Sequence, residues 1–199
     1  MKKLMSTLLL VFLFTHSAFA VSSDEYTMKS PIDAANFLAG ESIIVDHTDA
    51  PDLYELENEI QRQAVMKIVM KLSGRDIPDA CRWEFSDVDV NDWPCKYIEA
   101  ALDAEFIAAN ETFRPYDLIT MTEAMKLVLK SKGIQKVQQT DNWQEDYMMT
   151  AYEYGIIDNK YYTYNDNATR GWIFQIATAA IEQEEVIMEM GGIMSDEAL

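Results

Sequence analysis

The sequence predicts an all-α protein built from three helix-loop-helix units, packed as a pseudo-threefold helical bundle or a short solenoid. Three observations lead there. Residues 93–107 and 143–157 match without a gap: Trp93, Tyr97, Ile98, Ala101, Phe106 and Ile107 fall on Trp143, Tyr147, Met148, Ala151, Ile156 and Ile157. Within each copy the apolar positions recur with helical spacing and then close on a bulky pair, the pattern of a helix running into a short buried segment. A lone helical hairpin of this size cannot bury its apolar stripe, so the copies must pack on one another.

Taken in order, residues 1–20 read as an export signal. Lys2 and Lys3 precede an apolar run from Leu4 to Phe14, and Ala18-Phe19-Ala20 offers a small-x-small cleavage site. That run is shorter than the roughly 20 residues that cross a bilayer, so no membrane span is expected after cleavage. The first unit covers residues 21–74. Ala34, Ala35, Leu38, Ile43 and Ile44 mark its first helix and closing pair, and Ile60–Leu72 its second helix, ended by Ser73 and Gly74; Ser30 stands where the other copies have Trp. The second unit, 75–135, has a first helix led by Trp93 and a second from Thr120 to Lys132, stopped by Gly133. In the third, 136–190, Trp143 leads the first helix, and the second runs from Thr169 to about Met190 before Gly191 and Gly192. Residues 191–199 read as a loose tail.

Composition narrows the function. The formal charge is -18, and the expected cleavage removes two lysines and no acid. Such a surface repels phosphate backbones and anionic lipid, which argues against nucleic acid as a partner. Cys81 and Cys95 lie fourteen residues apart, and in an exported chain such a pair is more readily a disulfide than a metal or catalytic site. The bridge would stabilise by roughly 3 kcal/mol. Asp87, Asp89, Asn91 and Asp92 begin like a calcium loop, but the sixth and twelfth positions are Asp92 and Ile98 rather than Gly and Glu. No metal or cofactor is expected. The sequence has no nucleophile elbow, phosphate loop or zinc signature, and His47 sits in a polar loop, so the chain reads as a binding module and not an enzyme.

The middle unit carries a family pattern. Phe85-Ser86-Asp87-Val88, then Trp93, Tyr97-Ile98, Ala101-Leu102 and Phe106-Ile107, then Thr112-Phe113-Arg114-Pro115 and Ile119-Thr120-Met121-Thr122-Glu123-Ala124 resemble an S-layer homology (SLH) domain in order and spacing. The resemblance implies a three-pronged, pseudo-symmetric helical body that binds anionic, often pyruvylated, cell-wall polysaccharide noncovalently. It implies that the Arg of the family's Thr-Arg-Ala-Glu motif contacts the anionic sugar in an inter-repeat groove. By position that Arg is Arg62 in the first unit and Arg170 in the third, while Met121 takes the place in the second, which puts the middle unit's pocket in question.

Helix physics singles out the same positions. Thr120 with Glu123 forms a capping box, and Thr169 keeps the cap in the third unit, with Gly171 and Trp172 in place of the Ala-Glu half. In the first unit Asn58 with Gln61 is the candidate cap. An Arg in the first turn opposes the helix dipole by about 0.3–1 kcal/mol when exposed, so it calls for an anion nearby. That anion is a bound carboxylate, held with free N–H groups, or one of the chain's own acids. Trp93 and Trp143 either wall a groove or core, or stack on a sugar ring. Arg114 is the candidate substitute cation for the second unit. The expected function is therefore an exported envelope module that binds anionic polysaccharide through Arg62, Arg170, Trp93, Trp143 and Arg114. The alternative is an envelope scaffold that binds other envelope proteins on the same fold.

Overall fold

The computed structural model describes residues 27–158 and 163–184. The expected export signal, the C-terminal tail and the end of the last expected helix lie outside them. The described residues are mostly helical: α1 (Pro31–Gly40), a 3-10 turn (Pro51–Tyr54), α2 (Arg62–Leu72), α3 (Cys95–Asp103), α4 (Met121–Ser131), α5 (Trp143–Glu153) and α6 (Arg170–Glu182). Among them the only β-type pairings are three isolated bridges, Glu59 with Thr169, Gln61 with Leu118, and Thr120 with Asn167. None of the described helices is long and apolar enough to cross a membrane.

The boundaries follow from local chemistry. Ser30 caps α1 by accepting from the Asp33 N–H, with Pro31 at the first helical position. Thr120 and Glu123 close a reciprocal box on α4, and the Thr169 hydroxyl accepts from the Trp172 N–H on α6. Gln61, at the start of α2, makes no side-chain cap bond; its Oε1 accepts from Gln63 instead, so the Asn58–Gln61 cap does not form. One further boundary departs from expectation: Trp93 precedes α3, whose N-cap is Pro94. α6 runs to Glu182, with Gln183 donating back to Ala179.

Each first helix ends in the same device. The residues after α1, α3 and α5 that precede the bulky pairs are Ser42, Glu105 and Gly155, with φ of 59°, 59° and 66°. The left-handed residue lets the next N–H reach back into the helix: Ile43 to the Leu38 carbonyl at 2.9 Å, Phe106 to Ala101 at 2.9 Å and Ile156 to Ala151 at 2.8 Å. The bulky pair is thereby fixed beneath the helix end.

Packing crosses the units. α2, α4 and α6 touch one another pairwise, and the other three helices lie against them: α3 on α2, α5 on α4 and α1 on α6. No first helix has its main contact with the second helix of its own unit. The cause lies in the extended residues ahead of α2, α4 and α6. Ile60 donates to Ala168 at 3.0 Å, Ala168 to Ile119 at 2.9 Å and Ile119 to Ile60 at 3.2 Å, closing a ring of three backbone hydrogen bonds among buried residues. Next to the ring, the first N–H of each of these helices finds a carbonyl in another unit: Arg62 to Asp117, Met121 to Asp166 and Arg170 to Asn58, each at 2.9 Å. Donors that a helix start leaves orphaned are thus satisfied between units.

Candidate functional site

Arg62 and Arg170 are each the first residue of a helix in this central trio, and each is held in the same way. Arg170 Nε donates to the Tyr54 carbonyl at 2.8 Å, and Arg62 Nε donates to the Phe113 carbonyl at 3.1 Å. Tyr54 and Phe113 occupy matching places in the loops of the first two units, and the residue after each, Glu55 or Arg114, has a left-handed φ of 51° or 61°. Asp87 fixes the second of these loops by accepting from the Phe113 N–H at 2.8 Å and the Arg114 N–H at 2.7 Å. Each guanidinium also lies over a ring: Arg62 is 4.9 Å from the Phe113 centroid, and Arg170 is 5.6 Å from that of Phe174.

Both arginines border grooves built from three units. The first groove, about 210 Å³, is lined by Arg170, Tyr54, Lys67, Trp93 and the pair Ile43 and Ile44. The second, about 370 Å³, is lined by Arg62, Phe113, Lys126, Trp143 and the pair Phe106 and Ile107. The two sets correspond place for place. Lys67 and Lys126 each stand five residues after the first residue of α2 and α4. Lys67 Nζ is 5.9 Å from the Trp93 ring centre, and Lys126 Nζ is 5.4 Å from that of Trp143. The two tryptophans are 49% and 41% exposed, so they wall the grooves and do not sit in the core. Other places differ: His47, 5.4 Å from Tyr54, stands where the second groove has Asn110, and Ala64 stands where it has Glu123.

The third combination of units has none of these groups. Met121 begins α4 where an arginine begins α2 and α6. Gln175 stands on α6 where α2 and α4 carry lysine, and its amide donates to the Lys29 carbonyl at 2.6 Å. Ser30 caps α1 in place of the tryptophan. Part of that unit's loop, 159–162, lies outside the described residues. The groove that borders the middle unit's loop therefore has its arginine, Arg62, supplied by the first unit. It is the third unit's loop that meets Met121.

The electrostatics of the two grooves run against the charge of the whole chain. Burial pushes the Arg170 guanidinium pKa down, countered by Glu55. Burial pushes Arg62 down too, countered first by Glu123, whose Oε1 lies 3.8 Å from Nη1. Lys67 and Lys126 are lowered by burial and then by the neighbouring Lys71 and Lys130 respectively. Among the described residues, no carboxylate pairs with Arg170, Lys67 or Lys126. Desolvated cations without internal partners attract an incoming anion strongly, because no self-pair must first be broken.

Arg114 lines neither groove; its guanidinium is 3.5 Å from Asp117 and exposed. The acidic run ahead of α3 is likewise engaged within the chain: besides Asp87, Asp89 accepts from the Asn91 N–H and Asp92 from the Trp93 N–H. Cys81 and Cys95 form a disulfide across a Cα separation of 6.1 Å. Buried Glu99 lies beside it, accepting the Arg82 and Glu84 N–H groups, which ties down the loop that leads to Trp93. With both sulfurs bonded to each other, the cluster of Cys81, Cys95 and Glu99 has no thiolate for a metal. Motif matching missed Lys67, Lys126 and Tyr54. The lysines carried a usable signal, since they sit at one offset in two aligned helices. Tyr54 carried none, because the first loop is longer and its 3-10 turn shifts the register. No protein-family model matches the chain, and no curated protein matches it.

Proposed function

We propose that this chain is an exported cell-envelope module whose three SLH-like units, arranged about a pseudo-threefold axis, bind an anionic, pyruvylated cell-wall polysaccharide noncovalently in two grooves. One observation carries the reading. The arginine, the lysine and the tryptophan come from three different units, yet they occur together in two grooves, and among the described residues the third combination has Met121, Gln175 and Ser30 in their places. Packing alone does not require this, since the third combination has the same helices in the same contacts. A shared ligand does require it: the guanidinium and ammonium would take a carboxylate, and the half-exposed indole would take the apolar face of a sugar ring. Volumes of about 210 and 370 Å³, near or below the roughly 300–1,000 Å³ of drug-sized sites, suit one or two sugar units each and not a long buried chain.

The test is retention of residues 21–199 on purified pyruvylated envelope polysaccharide. Each of Arg62→Ala and Arg170→Ala should weaken its own groove by roughly 10-fold to 150-fold, the size of a lost charge-assisted contact, and the double change should abolish retention. Equal retention of the wild type and the double variant, or no retention of the wild type, would overturn the glycan reading and leave an envelope scaffold that docks proteins.

A further inference from the structure

The groove that holds Arg62 does not stop at Phe106. A second cleft of about 320 Å³ adjoins it and shares Glu105, Phe106 and Lys130 with it. Three cations meet there. The Arg75 guanidinium is 5.5 Å from the Phe106 ring centre, Lys130 Nζ donates to the Glu105 carbonyl at 2.7 Å, and Lys136 Nζ lies 5.5 Å from the centre of Tyr147. Lys126 bridges the two clefts, 5.4 Å from Trp143 in one and 5.8 Å from Tyr147 in the other. Arg62, Lys126, Lys130, Arg75 and Lys136 are five of the sixteen Lys and Arg of a chain with 34 acids, gathered along one path.

Acids offset part of this charge: Asp146, fully buried, pairs with Lys136 at 3.0 Å and accepts from Thr140, Glu123 caps α4 and lies 3.8 Å from Arg62, and Glu105 is exposed. On its other side Arg75 borders a cleft that holds Asp76 and Asp103. Among the described residues neither Arg75 nor Lys130 has a carboxylate partner. The first groove has a different neighbour. The cleft that shares Lys67 and Trp93 with it also holds Asp79 and Asp92, and its own Lys96 pairs with Asp79 at 3.5 Å.

We infer that the Arg62 groove continues past Phe106 into a second cationic subsite formed by Arg75 and Lys130. This side of the molecule then reads two successive anionic units of one polysaccharide strand, while the Arg170 groove takes a single unit. The inference rests on the polysaccharide reading above, and it adds strand length and charge spacing as determinants of affinity. Trp143 and Tyr147 give the strand rings to lie against between its charges, and two separated cationic stations favour a ligand whose carboxylates repeat.

The experiment uses residues 21–199 carrying Arg170→Ala, so that calorimetry reads the Arg62 groove alone. The probes are two fragments of a pyruvylated cell-wall polysaccharide, one with a single ketal carboxylate and one with two on adjacent repeats. The two-carboxylate fragment should bind roughly tenfold tighter or better, the value of one more charge-assisted contact. Adding Arg75→Ala should remove most of that advantage and leave the one-carboxylate fragment unchanged, because Arg75 lines only the second cleft, while Arg75→Lys should keep part of it. The Arg75 side chain is exposed, and an unchanged thermal midpoint checks the fold. If the one-carboxylate fragment binds through Arg62 and the longer one gains nothing, the second subsite is wrong and the polysaccharide reading stands. Equal weakening of both fragments by the added change also overturns the subsite. If neither fragment binds, the polysaccharide reading itself falls.

Discussion

At the scale of single residues, Arg62 and Arg170 each begin a helix, and what surrounds them is set by parts of the chain far away in sequence. The repeat pattern picks out Arg170 after Thr169 and, by position alone, Arg62 after Gln61. It could not reveal that Arg62 reaches the loop of the second unit and Arg170 that of the first, since those bonds span 51 and 116 residues. Gly171 shows the same limit. In sequence it is only a departure from the Ala of the family pattern. In the fold, a Cβ there would come within 3.0 Å of both the Leu56 carbonyl and Pro31 Cβ, where α6, the first loop and the start of α1 meet. Neither neighbour is the free end of a flexible side chain. Gly171→Ala would gain up to about 1 kcal/mol of helix propensity, against roughly 1–3 kcal/mol for overpacking a tight contact. The clash should win, so the urea midpoint of Gly171→Ala falls below that of the wild type; a rise would mean that α1 can shift away from α6 at no cost.

At the scale of elements, helices were the most legible feature, because their apolar spacing and caps are written within ten or so residues. α2 and α4 fall within two residues of their expected limits, and the expected Cys81–Cys95 disulfide forms. The 3-10 turn at Pro51–Tyr54 was illegible, because what sets it is the place of Tyr54 against Phe174, with ring centres 6.4 Å apart, and no periodicity encodes that contact. The helix ends carry a testable asymmetry. Gly155 adopts its left-handed φ freely, whereas Glu105 holds φ 59° against the steric cost of a Cβ in that region, about 1–2 kcal/mol. What Glu105 gives its neighbours here is its backbone carbonyl, which accepts from Lys130 and would survive substitution. Glu105→Gly should therefore raise stability by about 1 kcal/mol, less part of the entropy that glycine adds to the unfolded chain. Chemical denaturation would read this directly, and an unchanged or lower midpoint would show that the Glu105 side chain makes a compensating contribution.

At the scale of the whole molecule, the packing partners of the helices are not legible in the sequence. A periodic sequence invites division into three hairpins of 50 to 60 residues, each folding by itself and then docking. The connections run otherwise: α3 lies on α2, α5 on α4 and α1 on α6, and the ring through Ile60, Ile119 and Ala168 needs all three units to close. A chain of residues 75–199 contains the second and third units complete, so independent units would leave it with most of its helix and a sharp melt. In the observed connectivity it loses α2, against which Cys95, Ile98 and Ala101 of α3 are buried, and it loses α1, whose Ala34, Ala35 and Leu38 cover α6. It also loses Ile60, leaving the Ile119 N–H and the Ala168 carbonyl without their ring partners. Each orphaned buried group costs about 1–3 kcal/mol, and each large apolar side chain returned to water about 1.5–3 kcal/mol. A handful of such losses consumes the 5–15 kcal/mol that holds a domain together. Residues 75–199 should consequently show a broad, non-cooperative thermal transition by circular dichroism and poorly dispersed amide resonances, while residues 21–199 melt in one step. A cooperative melt of the fragment would mean that the units fold independently and that the ring merely joins them.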